Sequence, residues 1–315
     1  MKKLLILLSA LFALIITDAS ASASQDIRIF SAPNADGKIT PATVEKAFES
    51  VGFSIDGNNN MNKPFSKRFG TTHYKTYHLF TVHSADLVSK LASKYPQIGL
   101  LTPLSMSIWS DDSKKSMQIS SLSLRGMSRI TQIPETDKNL IAIAELLDKA
   151  LKKALPNGTF QKLNYAKVAD MKQQLATTFE TEFEVDEDAT IEDAKDDFED
   201  EFEGELEPIG FLFPGFISLK DELDERGVTD FELYDTYSIC KLDVIHPISK
   251  THPEVGAFAP CTFYIYKKKS EDSVHMGFPS VDNWISATDI EDEVSLKPLV
   301  EAQKLLEDVV KDMTE

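Results

Sequence analysis

The chain of 315 residues has only two cysteines, Cys240 and Cys261, and its 33 lysines and arginines are outnumbered by 51 aspartates and glutamates. Each shortage removes a class of chemistry. The two cysteines form no Cys-x-x-Cys pair, so the spacing common to thiol oxidoreductases is missing. A net charge of −18 gives a surface that repels phosphate backbones and anionic headgroups. Nucleic acid and anionic membranes are therefore excluded as primary partners. The six histidines, His73, His78, His83, His246, His252 and His275, show no i, i+4 or other short metal-ligating spacing. No metal and no other cofactor is expected. Neither a glycine-rich phosphate loop nor a Ser-His-Asp motif occurs, and no pair of carboxylates stands out, so no catalytic residue is assigned. Long apolar runs are missing too. The stretch from Leu4 to Ile16 has 13 residues, where a membrane-spanning helix needs about 20.

What that stretch does resemble is the core of a secretory signal. It follows Met1, Lys2 and Lys3 and precedes the small-residue segment Asp18-Ala-Ser-Ala-Ser-Ala-Ser24. Residues 1–23 are read as a signal peptide cleaved after Ala21 or Ala23. Neither cysteine lies near that point, which excludes a lipid anchor. The mature chain is expected to be periplasmic or secreted, with no membrane insertion after cleavage.

A shift of 157 residues lines the chain up with itself. Gly70, Thr72, Tyr77, Asp86, Pro96, Gly99 and Pro103 fall on Gly227, Thr229, Tyr234, Asp243, Pro253, Gly256 and Pro260, and Ile108, Ser113, Ser116 and Ser123 find identical counterparts at 265, 270, 273 and 280. The expected organisation is a first repeat over 26–155, a linker over 156–174 opening on Pro156-Asn157-Gly158, and a second repeat over 175–315.

Both repeats carry the same order of patterns. Leu175, Thr177, Phe179, Thr181, Phe183 and Val185 alternate with polar residues, as a half-buried strand does. Thr40-Pro41 and Thr190 open helices with apolar stripes at Val44, Ala47, Phe48 and Val51 and at Ile191, Ala194, Phe198 and Phe202. Strands follow at Gly52–Ile55, Tyr74–Val82 and Leu104–Trp109, and at Gly210–Phe213, Phe231–Ile239 and Cys261–Tyr266. After a charged hairpin comes a last strand. Amphipathic helices, 137–155 and 296–313, close the repeats, and short helices are expected near 85–94 and its counterpart. The fold class is α+β: in each repeat, strand, helix, four strands and helix, with helices on one face of a curved antiparallel sheet.

The passages Thr43-Val-Glu-Lys-Ala-Phe-Glu-Ser-Val-Gly-Phe53, Pro96-Gln-Ile-Gly-Leu-Leu-Thr-Pro103 and Pro253-Glu-Val-Gly-Ala-Phe-Ala-Pro-Cys261 resemble the domain of unknown function family 302. The resemblance covers both repeats. It implies a TATA-binding-protein-like α+β unit and no particular reaction. It also implies one cysteine on a middle strand and another after the proline that opens the next, which matches Cys240 and Cys261. The first repeat departs from this with His83 and Leu104.

Two candidate constellations remain, both in the second repeat. Cys240 and Cys261 are a candidate disulfide that would close a loop of about 20 residues; free thiols and a redox or ligand-binding pair are the alternatives. Asp282, Asn283 and Trp284 stand together after the last strand. They read either as a ligand-contacting loop combining an aromatic face with polar groups or as a helix entry with Trp284 in the core. The acidic stretch 180–207, with 16 carboxylates against the single Lys195, reads as a solvated helix face, and Lys267-Lys-Lys269 as a strand-edge device. The expected function is a non-enzymatic binding or interaction module for a small molecule or protein, its working surface in the second repeat. A periplasmic thiol redox protein cycling Cys240 and Cys261 is the alternative.

Overall fold

The computed structural model describes residues 25–111, 115–163, 165, 175–183, 185 and 188–315; the expected signal peptide lies outside them. Thr40 accepts a hydrogen bond from the Thr43 amide ahead of the helix Pro41–Glu49, and Thr190 accepts one from Asp193 ahead of Ile191–Leu206. In both, the third helical side chain answers the cap amide and completes a capping box. Asp137 and Asp292 cap the closing helices Lys138–Ala154 and Glu293–Thr314, which bury stripes such as Leu140, Ile143, Leu147 and Leu151, or Leu299, Leu306 and Val310.

The first repeat contains β1 (Ile27–Pro33), β2 (Ser54–Asn60), β3 (Thr76–His83), β4 (Leu104–Ser110), β5 (Ser116–Leu122) and β6 (Thr159–Phe160). The second contains β7 (Ala176–Thr181), β8 (Phe211–Ser218), β9 (Phe231–Lys241), β10 (Cys261–Lys268) and β11 (Val274–Pro279). The sheet orders, β2-β3-β4-β5-β1-β6 and β8-β9-β10-β11-β7, are the same arrangement, the first extended by β6 from the segment read as linker. Pairing is antiparallel, and the register is duplicated as well. Tyr77 faces Trp109 and Val82 faces Leu104 in one sheet, as Tyr234 faces Tyr266 and Ile239 faces Cys261 in the other. The chain is thus α+β in two repeated units.

Two details differ from the sequence reading. Helices Asn62–Phe69 and Leu219–Asp224 follow β2 and β8 where none was expected; they are too short for a helical period to emerge. Lys267 and Lys268 lie on β10, which is internal to its sheet, so they do not guard an edge. Lys267 pairs with Glu232, and Lys268 reaches the Ser93 carbonyl of the first repeat.

Successive residues of β9 point in opposite directions. Asp235 meets Lys195 of the helix Ile191–Leu206 at 2.8 Å, whereas Tyr234 turns to the first repeat and hydrogen-bonds the Gly99 amide and the Pro96 carbonyl. The repeats therefore meet through the sheet faces opposite their helices. The contacts are reciprocal under the 157-residue shift. Tyr77 donates to the Pro253 carbonyl at 3.1 Å and Tyr234 to that of Pro96. Ser105 donates to the Pro260 carbonyl at 2.8 Å, and Thr262 to that of Pro103 at 3.3 Å. Arg68 pairs with Asp243 and Arg226 with Asp86, so the two aspartates are counterparts while the arginines sit one residue out of the shift, Arg68 falling on Glu225. The 3-10 turns Pro96–Leu101 and Pro253–Ala257 each press a glycine onto the opposing sheet. A Cβ on Gly256 would stand 2.4 Å from the Ser107 Cβ, and one on Gly99 2.9 Å from the Tyr264 Cβ. Ser107 and Tyr264 are themselves counterparts.

Candidate functional site

At one end of the second sheet, a cavity of about 50 Å³ lies between residues of β9, β10 and β11 and the helix Glu293–Thr314. Cys240, Cys261, Phe278, Trp284, Ala302 and Leu306 form much of its wall. The residue types explain the space. Cys261 is small where the first repeat has the buried Leu104, and Ala302 offers one methyl group on the helix stripe. The wall is overwhelmingly apolar. Phe258 stacks on Trp284 with ring centroids 6.0 Å apart. The Trp284 indole N–H is buried and has no hydrogen-bond partner among the described residues, which costs about 1–3 kcal/mol when nothing bound satisfies it. Lys241 borders the cavity, donates to the Ile209 carbonyl and lies 4.8 Å over the Phe211 ring; burial lowers its pKa.

The structure has no disulfide between the candidate pair: Cys240 and Cys261 are free thiols, one of the alternatives the sequence left open. Cys261 stands opposite Ile239, so Cys240 is one residue out of step with it, and neighbouring residues of a strand point to opposite faces. Both residues still border the one cavity. Burial pushes each thiol up to about 12, for Cys261 with a smaller push from Cys240. Thiol oxidoreductases need the reverse, a lowered pKa. At pH 8 both thiols should react with a neutral alkylating reagent about a hundredfold more slowly than free cysteine, since little thiolate is present and its higher nucleophilicity recovers only part of the loss. Timed alkylation of the folded chain, read by mass spectrometry, measures this. A rate near that of free cysteine would mean that the thiols are activated.

The three residues read as a candidate ligand loop separate. They begin a helix, Asp282–Thr288, rather than a loop. Asn283 is buried and donates to the carbonyls of Leu175 at 2.6 Å and Ser280 at 2.8 Å, so it ties this turn to the sheet. The Asp282 amide donates to the Ser280 hydroxyl. Of the three, Trp284 reaches the cavity wall.

Two ionic clusters were not foreseen. Lys195, the lone cation of the acidic stretch, is 5 % exposed and bonds Asp235 at 2.8 Å and Glu192 at 2.6 Å. Beside it, burial pushes Glu199 up to about 7. Lys195 falls on the stripe of Ile191, Ala194, Phe198 and Phe202, and that spacing was the available signal. The other cluster joins the repeats. His83 is 3 % exposed and lies between Asp56 at 2.9 Å and Glu222 of the second repeat at 2.8 Å. Burial alone would lower its pKa, but its hydrogen bonds to the two carboxylates outweigh that and raise it to about 9. Nothing local in the sequence links residues so far apart. Among the described residues, no group of three or more His, Cys, Asp or Glu side chains stands ready to hold a metal ion, and no helix is long and apolar enough to cross a membrane.

The profile of the family described as "Domain of unknown function DUF302" matches two stretches, 34–154 and 187–313. A solved structure, that of an uncharacterized conserved protein DUF302 from Bacillus stearothermophilus, shares 16% identity with a TM-score of 0.36, over 45% of this chain and 100% of that one. No curated protein matches.

Proposed function

The chain belongs to the DUF302 family, in two copies, and from that premise we propose that it is an exported, non-enzymatic binding protein whose second repeat takes a small, uncharged, mainly apolar molecule. The observation that carries the reading is the cavity bordered by Trp284, with apolar walls and two thiols that burial keeps protonated. Such a site selects against charge by desolvation. Its volume, about 50 Å³, suits a few heavy atoms or the end of a chain entering from outside, since about 10–15 Å³ of such space holds one water. At the position of Cys261 the first repeat has the larger, buried Leu104. That repeat then serves as structural partner. Export rests on the signal-like residues 1–23, and intact-mass measurement of the protein from cells should give a chain beginning at Ser22 or Ser24.

Calorimetric titration of the full mature chain with straight-chain 2-ketones, from 2-butanone to 2-octanone, tests the binding reading. Saturable millimolar or tighter binding is expected, with affinity rising along the series by up to about 0.8 kcal/mol per methylene buried. Ala302→Val sets two more methyl groups against the cavity, and it should weaken binding at least tenfold while leaving stability within about 1 kcal/mol of the parent. Absence of binding across the series, or binding indifferent to Ala302→Val, would contradict the assignment.

A further inference from the structure

We infer that the face each repeat turns to the other is a self-association surface, fitted to a second copy of the same repeat. The reciprocity of the contacts carries this. Every acceptor that Tyr77, Ser105 and Arg68 meet on the second repeat, namely Pro253, Pro260 and Asp243, has its counterpart in their own repeat at Pro96, Pro103 and Asp86. The same holds the other way for Tyr234, Thr262 and Arg226. Two first repeats would set Gly99 on Ser107, and two second repeats would set Gly256 on Tyr264, the same close approaches that the chain makes between unlike repeats. A surface in which residue i meets j and j meets i is that of a two-fold dimer, and here the two-fold runs inside one chain.

Some contacts are not duplicated: the donors Arg68 and Arg226 are one residue out of register with each other, although their acceptors Asp243 and Asp86 are counterparts. Glu222 bonds His83, whose counterpart in the second repeat is Cys240, and Asp230 accepts from Ser93, whose counterpart is Lys250. These contacts favour unlike over like pairing without abolishing the latter, because discrimination is a difference between two affinities. The chain is thus a fused dimer. A repeat freed from its neighbour takes a second chain's repeat in its place. The inference does not rest on the ligand cavity.

A protease site inserted between Asp170 and Met171 of the full chain allows cleavage after folding. The two halves are separated on an affinity tag in urea, returned singly to native buffer at tens of micromolar, and measured by light scattering. Each half is expected at twice its own mass, and mixing them should restore the unlike pair. Gly99→Ala in the first half and Gly256→Ala in the second should give monomers with unchanged far-ultraviolet circular dichroism. A half that stays monomeric alone, whether folded or unfolded, or that forms aggregates of no fixed size, would overturn the inference.

Discussion

Replacing His83 with glutamine is expected to cost about 3 kcal/mol of unfolding free energy at pH 6 and much less at pH 10. His83 is 3 % exposed, and its ring bridges Asp56 of its own repeat and Glu222 of the other. Its pKa, held at about 9 in the fold, lies above the value of roughly 6.5 that an unfolded histidine has. A raised folded pKa contributes stability that is fully present below the unfolded pKa and is lost as pH climbs through the folded one. The window is therefore pH 6.5 to 9. Glu199 has a folded pKa of about 7; raised above its unfolded value, it also lowers stability with rising pH, but earlier, so the difference between parent and variant isolates His83. In the variant Asp56 and the half-buried Glu222 lose the cation between them; breaking a buried pair costs about 3–5 kcal/mol, and the partial exposure of Glu222 keeps the expected loss at the low end. Urea unfolding at a series of pH values measures the effect. A constant difference across pH 6–10 would mean that His83 is not charged in the fold.

Gly256→Ala should destabilise the chain by about 3 kcal/mol, at the upper end of what overpacking usually costs. The new Cβ would lie 2.4 Å from the Ser107 Cβ and 2.8 Å from the Ser107 amide nitrogen. Ser107 has no freedom to retreat. It lies on β4, inside its sheet, and its hydroxyl is held by Ser120 and by the Pro253 carbonyl, both at 2.7 Å. The turn must lift, and the reciprocal bonds around it lengthen together. Gly204→Ala is the control. Nothing stands within 4 Å of a Cβ there, and in a helix the change should stabilise by about 0.5–1 kcal/mol. Equal effects of the two substitutions in urea unfolding would refute the role given to the turn.

These two sites mark how far the sequence could be read. The 157-residue shift made the repeats visible, because Tyr77, Pro96, Gly99 and Pro103 recur at 234, 253, 256 and 260. The structure gives the reason: these residues build the contact between the repeats and meet reciprocal partners. Strand alternation and threonine caps located most elements for the same local reasons that form them. What stayed hidden is non-local. Cys240 and Cys261 are close in the sheet, yet their relation depends on a one-residue register offset that no spacing reveals. His83 meets Glu222 across 139 positions of chain. Lys195 looked solvated because its neighbours are acidic, although its place on the apolar stripe predicts burial. Of the residues singled out for the candidate site, Trp284 and the two cysteines border the cavity, while Asn283 holds backbone in place.

The most direct test of a binding site bordered by Trp284 is the indole region of a 15N–1H correlation spectrum of the full chain during titration with 2-hexanone. The chain has two tryptophans, so two indole signals report: Trp284 at the cavity, and Trp109, on β4 of the first repeat, as internal reference. A ligand seated against the Trp284 ring should give a saturable shift of the Trp284 signal, no change at Trp109, and loss of the response in Ala302→Val. A Trp284 signal that stays in place up to saturating ketone, or one that moves equally with Trp109, would contradict such binding.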